Sequence, residues 1–183
     1  MRLPACALGV LVASLAASGA TLERLTLEEM AARSTAIVRG RAGVGSSTLV
    51  GSTIYTRTRF QVLERWKGAE RSEVDVLSPG GTMGLTSQHY PGVPRFQEGQ
   101  ELVLFLWTGP SGRTQVIGYT QGVFEVVRSS VEGEDQVQVV RRPGGETLLD
   151  PNTATPVADE PVTMSLRQLV SMVRVAMVRG GTK

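Results

Sequence analysis

The stretch IYTRTRFQVLERWKG (54–68) decides the fold class. Ile54, Thr56, Thr58, Phe60 and Val62 fall on one side. Tyr55, Arg57, Arg59, Gln61 and Leu63 fall on the other. This is the period-two pattern of a half-buried strand, and Lys67-Gly68 ends it. Upstream, AIVRGRAGV (36–44) is β-rich and sets Arg39 and Arg41 on one face, while GVGSSTLVGS (43–52) reads as a turn-rich link. Downstream, Val74 and Val76 mark a short third strand. LVLFLW (102–107) is an unbroken apolar run of strand length, the pattern of a strand buried on both faces. After the turn Gly109-Pro110-Ser111-Gly112, residues 114–127 form another strand, with bulges or bends expected at Gly118 and Gly122. Glu132-Gly133-Glu134-Asp135 then turns the chain into a strand over 137–141.

Helical periodicity appears only at the two flanks. Thr26-Leu27-Glu28-Glu29 is a capping box, and the spacing of Leu27, Met30 and Ala31 predicts a helix over 27–33. Ser165-Leu166-Arg167-Gln168 is a second box. It opens a helix with Leu166, Leu169, Val170, Val173 and Met177 on one stripe, ending at Gly180-Gly181. Several strands with turn signals, and glycines where long strands must bend, predict a mainly β fold: an OB-like antiparallel barrel of five to six strands with a short N-terminal helix and a C-terminal amphipathic helix. The expected divisions are a secretory signal at 1–20, the barrel at 21–142, a polar surface excursion at 143–163, and the C-terminal helix and tail at 164–183.

The signal reading rests on Arg2, the uncharged run LPACALGVLVASLAA (3–17) and the small residues Ser18-Gly19-Ala20. Cleavage after Ala20 removes Cys6 and leaves 18 basic against 17 acidic residues, so the pI near 9 reflects a thin excess of charge. The expected location is periplasmic or extracellular, with folding in an oxidising compartment without a disulfide and no stable membrane insertion after cleavage. A 41% hydrophobic content and a net charge of +2 exclude a disordered chain. A single His excludes most His-based metal sites.

Candidate chemistry is sparse. His89, with Ser87 close by, lacks the third group and the oxyanion hole that a triad requires. The carboxylates Glu28-Glu29, Glu132/Glu134/Asp135 and Asp159-Glu160 read as a helix cap and solvated turns. Gly80-Gly81-Thr82-Met83-Gly84 lacks the following helix that a phosphate cradle uses. Arg39, Arg41, Arg57 and Arg59 fit a nucleic-acid stripe only weakly in a chain of near-zero charge, so no nucleic acid is expected. Arg167, Arg174 and Arg179 fit a docked helix better than a membrane-surface one. The strongest candidate is the segment 79–100, a long loop carrying Met83, Leu85, His89, Tyr90, Pro91, Val93, Pro94, Arg95 and Phe96. Loops of such length are usually functional, and exposed Met and aromatic side chains anchor partners.

The blocks STAIVRGRA (34–42), IYTRTRFQVLERWKG (54–68), FQEGQELVLFLW (96–107) and GRTQVIGYTQGVFEV (112–126) resemble the netrin-like module of tissue inhibitors of metalloproteinases. Over 27–127 they are also similar to small exported bacterial proteins with the same Tyr-Thr, Lys-Gly and Gln-Gly-x-Phe blocks. The resemblance implies an OB-type barrel that binds a protein, a secreted protease among the candidates. The inhibitors' zinc-chelating N-terminal cysteine is missing, because the expected mature terminus is Thr21. The reading is therefore a non-catalytic, exported protein-binding module without cofactor or metal. Its partner site comprises Met83, His89, Tyr90, Pro91, Arg95 and Phe96. A secreted hydrolase using His89 and a cell-envelope structural protein remain the alternatives.

Overall fold

The computed structural model describes residues 20–131 and 134–180. Residues 1–19 with Cys6, the turn residues Glu132 and Gly133, and Gly181 lie outside the described residues. In chain order, β1 (Thr21–Glu23) leads into α1 (Leu27–Arg33), and β2 (Ala36–Val50) and β3 (Thr53–Lys67) form a long hairpin. Then come β4 (Glu73–Pro79) and a small hairpin of β5 (Gly81–Met83) and β6 (Thr86–Gln88). β7 (Glu101–Thr108), β8 (Thr114–Val116) and β9 (Val123–Val131) follow, with a 3-10 turn (Tyr119–Gly122) between the last two. β10 (Glu134–Arg141), β11 (Thr147–Leu149), β12 (Pro156–Val157) and β13 (Val162–Ser165) lead to α2 (Leu166–Gly180).

The fold is mainly β. The large sheet runs β13-β10-β9-β7-β2-β3-β4, with β8 also on β7, and all its pairings are antiparallel. β1 pairs with β11 in parallel, and β12 joins β11. No sheet closes on itself among the described residues.

β7 is buried from Glu101 to Leu106 and separates two cores. Leu102, Leu104 and Leu106 pack with Val38, Ala42, Phe60 and Val76. On the opposite face Val103 and Phe105 pack with Ile37, Phe124 and Val139, and with Met30, Ala31, Leu169, Val173 and Ala176 of the two helices. Each fully buried Val, Leu, Ile, Phe or Met side chain among them contributes roughly 1.5–3 kcal/mol. Both capping signals operate. Thr26 Oγ1 accepts from the Glu29 amide at 3.2 Å, Glu29 Oε2 accepts from the Thr26 amide at 2.8 Å, and Ser165 Oγ accepts from the Gln168 amide at 3.1 Å.

Four expectations need correction. GVGSSTLVGS is not a link: β2 continues to Val50, pairing with β3 down to Val50↔Thr53 after a bulge between Ala42 and Gly45. Its small residues suppress the alternation that marks a strand, yet the ladder forms because the partner arm supplies it. The break at 117–122 is larger than a single-residue bulge, since β8 and β9 pair with the same edge of β7 and six residues leave the ladder opposite Phe105. The segment 143–163 is not merely a polar excursion. It holds β11 and β12, and it buries Glu146 and Leu148. Asp159 is not solvated either, because Arg141 reaches it at 2.6 Å with both side chains nearly buried.

Lys67-Gly68 does more than stop a strand. Lys67 Nζ donates to the Ala31 and Ala32 carbonyls at 2.7 and 3.1 Å, satisfying C-terminal carbonyls of α1. Burial lowers its pKa from the ordinary lysine value. Gly68 has φ +95, and a Cβ there would stand 2.7 Å from the Thr35 carbonyl oxygen. Lys67→Met is expected to destabilise the fold by about 1.5–3 kcal/mol, the range for a charged hydrogen bond. Urea unfolding checks this, and an unchanged midpoint would remove the clamp.

Candidate functional site

β4 is a terminal strand of its sheet. β8 comes within 8 Å of it at Cα, yet the two do not pair. The seam between them opens into two depressions that share Leu77.

The smaller is a pocket of about 370 Å³ lined by Tyr55, Tyr90, Tyr119, Val93, Pro94 and Pro79, among others. These are all three tyrosines of the chain. Tyr55 belongs to the outward row of β3, opposite Pro79. Tyr90 follows β6, and its carbonyl accepts from the Val93 amide at 3.4 Å. Val93 and Pro94 are buried and pin this part of the segment. Tyr119 stands in the excursion that leaves the β7 ladder, with φ 55, a conformation that costs a bulky residue of the order of 1–3 kcal/mol. Among the described residues the ring contacts are Phe60–Phe96 and Phe105–Phe124, so the three tyrosine rings face the pocket apart from one another.

Both walls of the pocket are held from behind. Buried Gln121 donates to the Glu23 carbonyl at 3.1 Å and accepts from the Leu25 amide at 2.8 Å. Thr120 donates to Glu146, whose side chain also lies under Gly92, where a Cβ would meet it at 3.1 Å. Glu146 is 6% exposed, and its second carboxylate oxygen has no partner among the described residues. Gly122 closes the excursion so tightly that a Cβ would collide with the Ile117 carbonyl oxygen.

The larger depression is an open groove of about 1190 Å³ between β4 and the turn joining β7 to β8. Arg57, Arg59, Arg65, Arg71 and Arg113 line it, against the carboxylates Glu73 and Asp75. Arg59 is paired with Asp75 at 2.9 Å and lies 3.7 Å from Glu73. Its hydrogen bond holds the Asp75 carboxyl below the ordinary value. The other four arginines make no ion pair among the described residues.

The predicted partner residues divide. Leu85 sits in the exposed turn of the β5–β6 hairpin with Met83 at the end of β5 before it, and His89, Tyr90, Pro91 and Arg95 are exposed beyond the hairpin. Arg95 donates to Thr56 Oγ1 at 3.3 Å. Phe96 turns inward instead, edge-on to Phe60 at 5.0 Å, so its ring belongs mainly to the core. Segment 79–100 is therefore a hairpin and an anchored return rather than one featureless loop. Gly80–Gly84 enters that hairpin and is followed by β6, not by a helix. Ser87 Oγ accepts from Thr82 at 3.2 Å, and no hydrogen bond joins it to His89 among the described residues. The sequence reading missed Tyr55, Tyr119 and the groove arginines as one surface, because only the seam brings these segments together.

Of the early arginines, Arg39 and Arg41 belong to a different cluster. Glu101, at the head of β7, receives Arg39 at 2.6 Å, Arg128 at 2.8 Å and Arg41 at 3.7 Å, and Arg39 also pairs with Glu64. Burial opposes ionisation of Glu101, but the hydrogen bonds and charges of Arg128 and Arg39 prevail and hold its carboxyl below the ordinary value. No cluster of metal-ligating side chains occurs among the described residues, and none of their helices is long and apolar enough to cross a membrane. Comparison with protein families, characterised proteins and solved structures returned no match.

Two outcomes are expected. The folded-state carboxyls of Glu101 and Asp75 are lowered from ordinary values of 4.5 and 3.8. Their stabilisation is therefore present above those values and lost as pH falls through the lowered ones. Glu101→Gln flattens the acid limb of a stability-against-pH curve; an unchanged slope would contradict the network. Tyr119→Gly relieves the left-handed backbone while deleting one pocket wall. It is expected to leave stability within about 1 kcal/mol of the parent in urea unfolding.

Proposed function

We propose that the chain is an exported, non-catalytic protein-binding module on an OB-like, netrin-like barrel. The strand path β4-β3-β2-β7, with β8 lying beside β4, supports a barrel of the partly open kind. The partner is held at the barrel end built from segment 79–100 and the seam.

The observation that carries this reading is the apolar and aromatic projection beside a preformed pocket. Leu85 is wholly exposed on its turn, and Met83 and Tyr90 are each 38% exposed. Tyr90 also lines the tyrosine pocket. An exposed apolar anchor next to a cavity with hydroxyl groups is the usual chemistry of a binding hot spot. A secreted protease is one partner the reading admits. Thr21 is committed to β1, opposite Thr147, so a protease is engaged through this projection and not through the amino terminus.

Capture of secreted proteins by the purified chain tests the site when paired with variants. Leu85→Asp with Tyr90→Ala is expected to weaken capture of the specific partner at least tenfold, about 1.4 kcal/mol. Glu28→Ala, at an exposed position of α1, leaves it unchanged. A partner held equally by both variants is not bound at this barrel end, and the site assignment then fails.

A further inference from the structure

We propose that the arginine-lined groove beside β4 binds an acidic, extended stretch of polypeptide. This rests on the reading of the chain as a protein-binding module and names the chemistry its partner carries.

The whole chain is close to neutral, at +2, so a local concentration of cations is a specific feature. Arg57, Arg65, Arg71 and Arg113 face the groove without an ion pair among the described residues, although seven other arginines are paired. Arg65 donates to the Arg71 carbonyl at 3.1 Å and Arg113 to Ser111 Oγ at 3.0 Å. These contacts to neutral groups orient the Arg65 and Arg113 guanidinium groups, while Arg57 acts on the Asp75 carboxyl across the groove without forming an ion pair with it. They come from β3, from the link before β4 and from the β7–β8 turn, so one small anion cannot engage them all. A chain with repeated carboxylates can, and Arg is the residue suited to bidentate carboxylate recognition.

Two features favour polypeptide over nucleic acid. No aromatic side chain lines the groove, so bases find nothing to stack on. β4 has a ladder partner only in β3, so its outward N–H and C=O groups offer main-chain pairing to an extended peptide. Leu77 connects groove and tyrosine pocket, which lets an acidic segment continue into an apolar or aromatic anchor.

The probes are a fluorescein-labelled dodecapeptide of alternating Glu and Ser, its Gln-for-Glu counterpart, and an oligothymidylate of equal charge. Anisotropy with the full chain is expected to show the acidic peptide bound at least about tenfold more tightly than the Gln peptide, weakening as salt rises. The triple variant Arg57→Ala, Arg71→Ala, Arg113→Ala reduces binding to the Gln-peptide level. Arg167→Ala with Arg174→Ala, on α2, leaves it unchanged, and thermal melting verifies that both variants fold. Amide exchange slows in 73–77 when the acidic peptide is bound. Equal binding of the two peptides, equal loss in the α2 variant, or tighter binding of the oligothymidylate overturns the proposal. If the acidic peptide fails while Leu85 and Tyr90 remain necessary for partner capture, this inference falls and the binding-module reading stands. If it binds through the arginines while the Leu85/Tyr90 variant captures normally, the groove stands and the projection falls.

Discussion

Burial of β7 on both faces is the constraint on which the rest of the structure depends. A strand whose successive side chains enter two different cores must be covered on both sides. One cover is the curled β2–β3–β4 arm, with Phe60 and Val76 facing Leu102, Leu104 and Leu106. The other is the helix pair with β9 and β10, where Met30, Leu169 and Val173 share a core with Val103 and Phe105. Neither helix is long enough to be stable alone. Their capping boxes set where they start, but the apolar face presented through β7 decides that they persist.

The same strand organises charge. At its head Glu101 continues the row of Val103 and Phe105 on the face covered by the helices. A carboxylate there is tolerable only because arginines from β2 and β9 converge on it. Removal of one partner from such a cluster leaves a charge poorly solvated, so the network ties together the register of β2, β7 and β9. Arg39 and Arg41, which a linear reading groups with Arg57 and Arg59, are consumed by this role. The division explains why positive charge on β3 remains available at the seam while that on β2 does not.

Legibility in the sequence follows the range of the physics. LVLFLW, the alternation of 54–63 and both capping boxes were readable because each signal is local: a burial pattern, a period of two, a side chain reaching three residues on. The arm 43–50 was unreadable because Gly and Ser carry no alternation, and its strand state comes from a partner across the hairpin. Segment 143–163 reads as polar, but Glu146 and Leu148 are buried, and Asp159 is nearly so, through neighbours elsewhere in the sequence. The candidate site divides in the same way. Met83, Leu85 and Tyr90 were visible as apolar side chains in a segment without obvious periodicity. Tyr55 and Tyr119 lie 64 positions apart and meet only across the seam.

The open seam itself follows from local chemistry. β8 is three residues long before the chain leaves at Ile117, whose amide is tied to the Phe105 carbonyl at 2.9 Å. β4 ends at Pro79, which has no N–H to extend a ladder. A closing pairing between β4 and β8 therefore has little length over which to propagate. An exposed edge invites indiscriminate pairing, and Glu73, Asp75 and Pro79 are the residue types that discourage it. Acidic side chains along the edge repel other acidic strands, so any acidic partner must be drawn by cations placed off the edge itself. Arg57 on β3, Arg71 before β4 and Arg113 on the facing turn occupy such positions. The edge by itself thus discourages apolar and acidic strands, and under the binding proposed above the draw on an acidic segment comes from Arg57, Arg71 and Arg113 beside it.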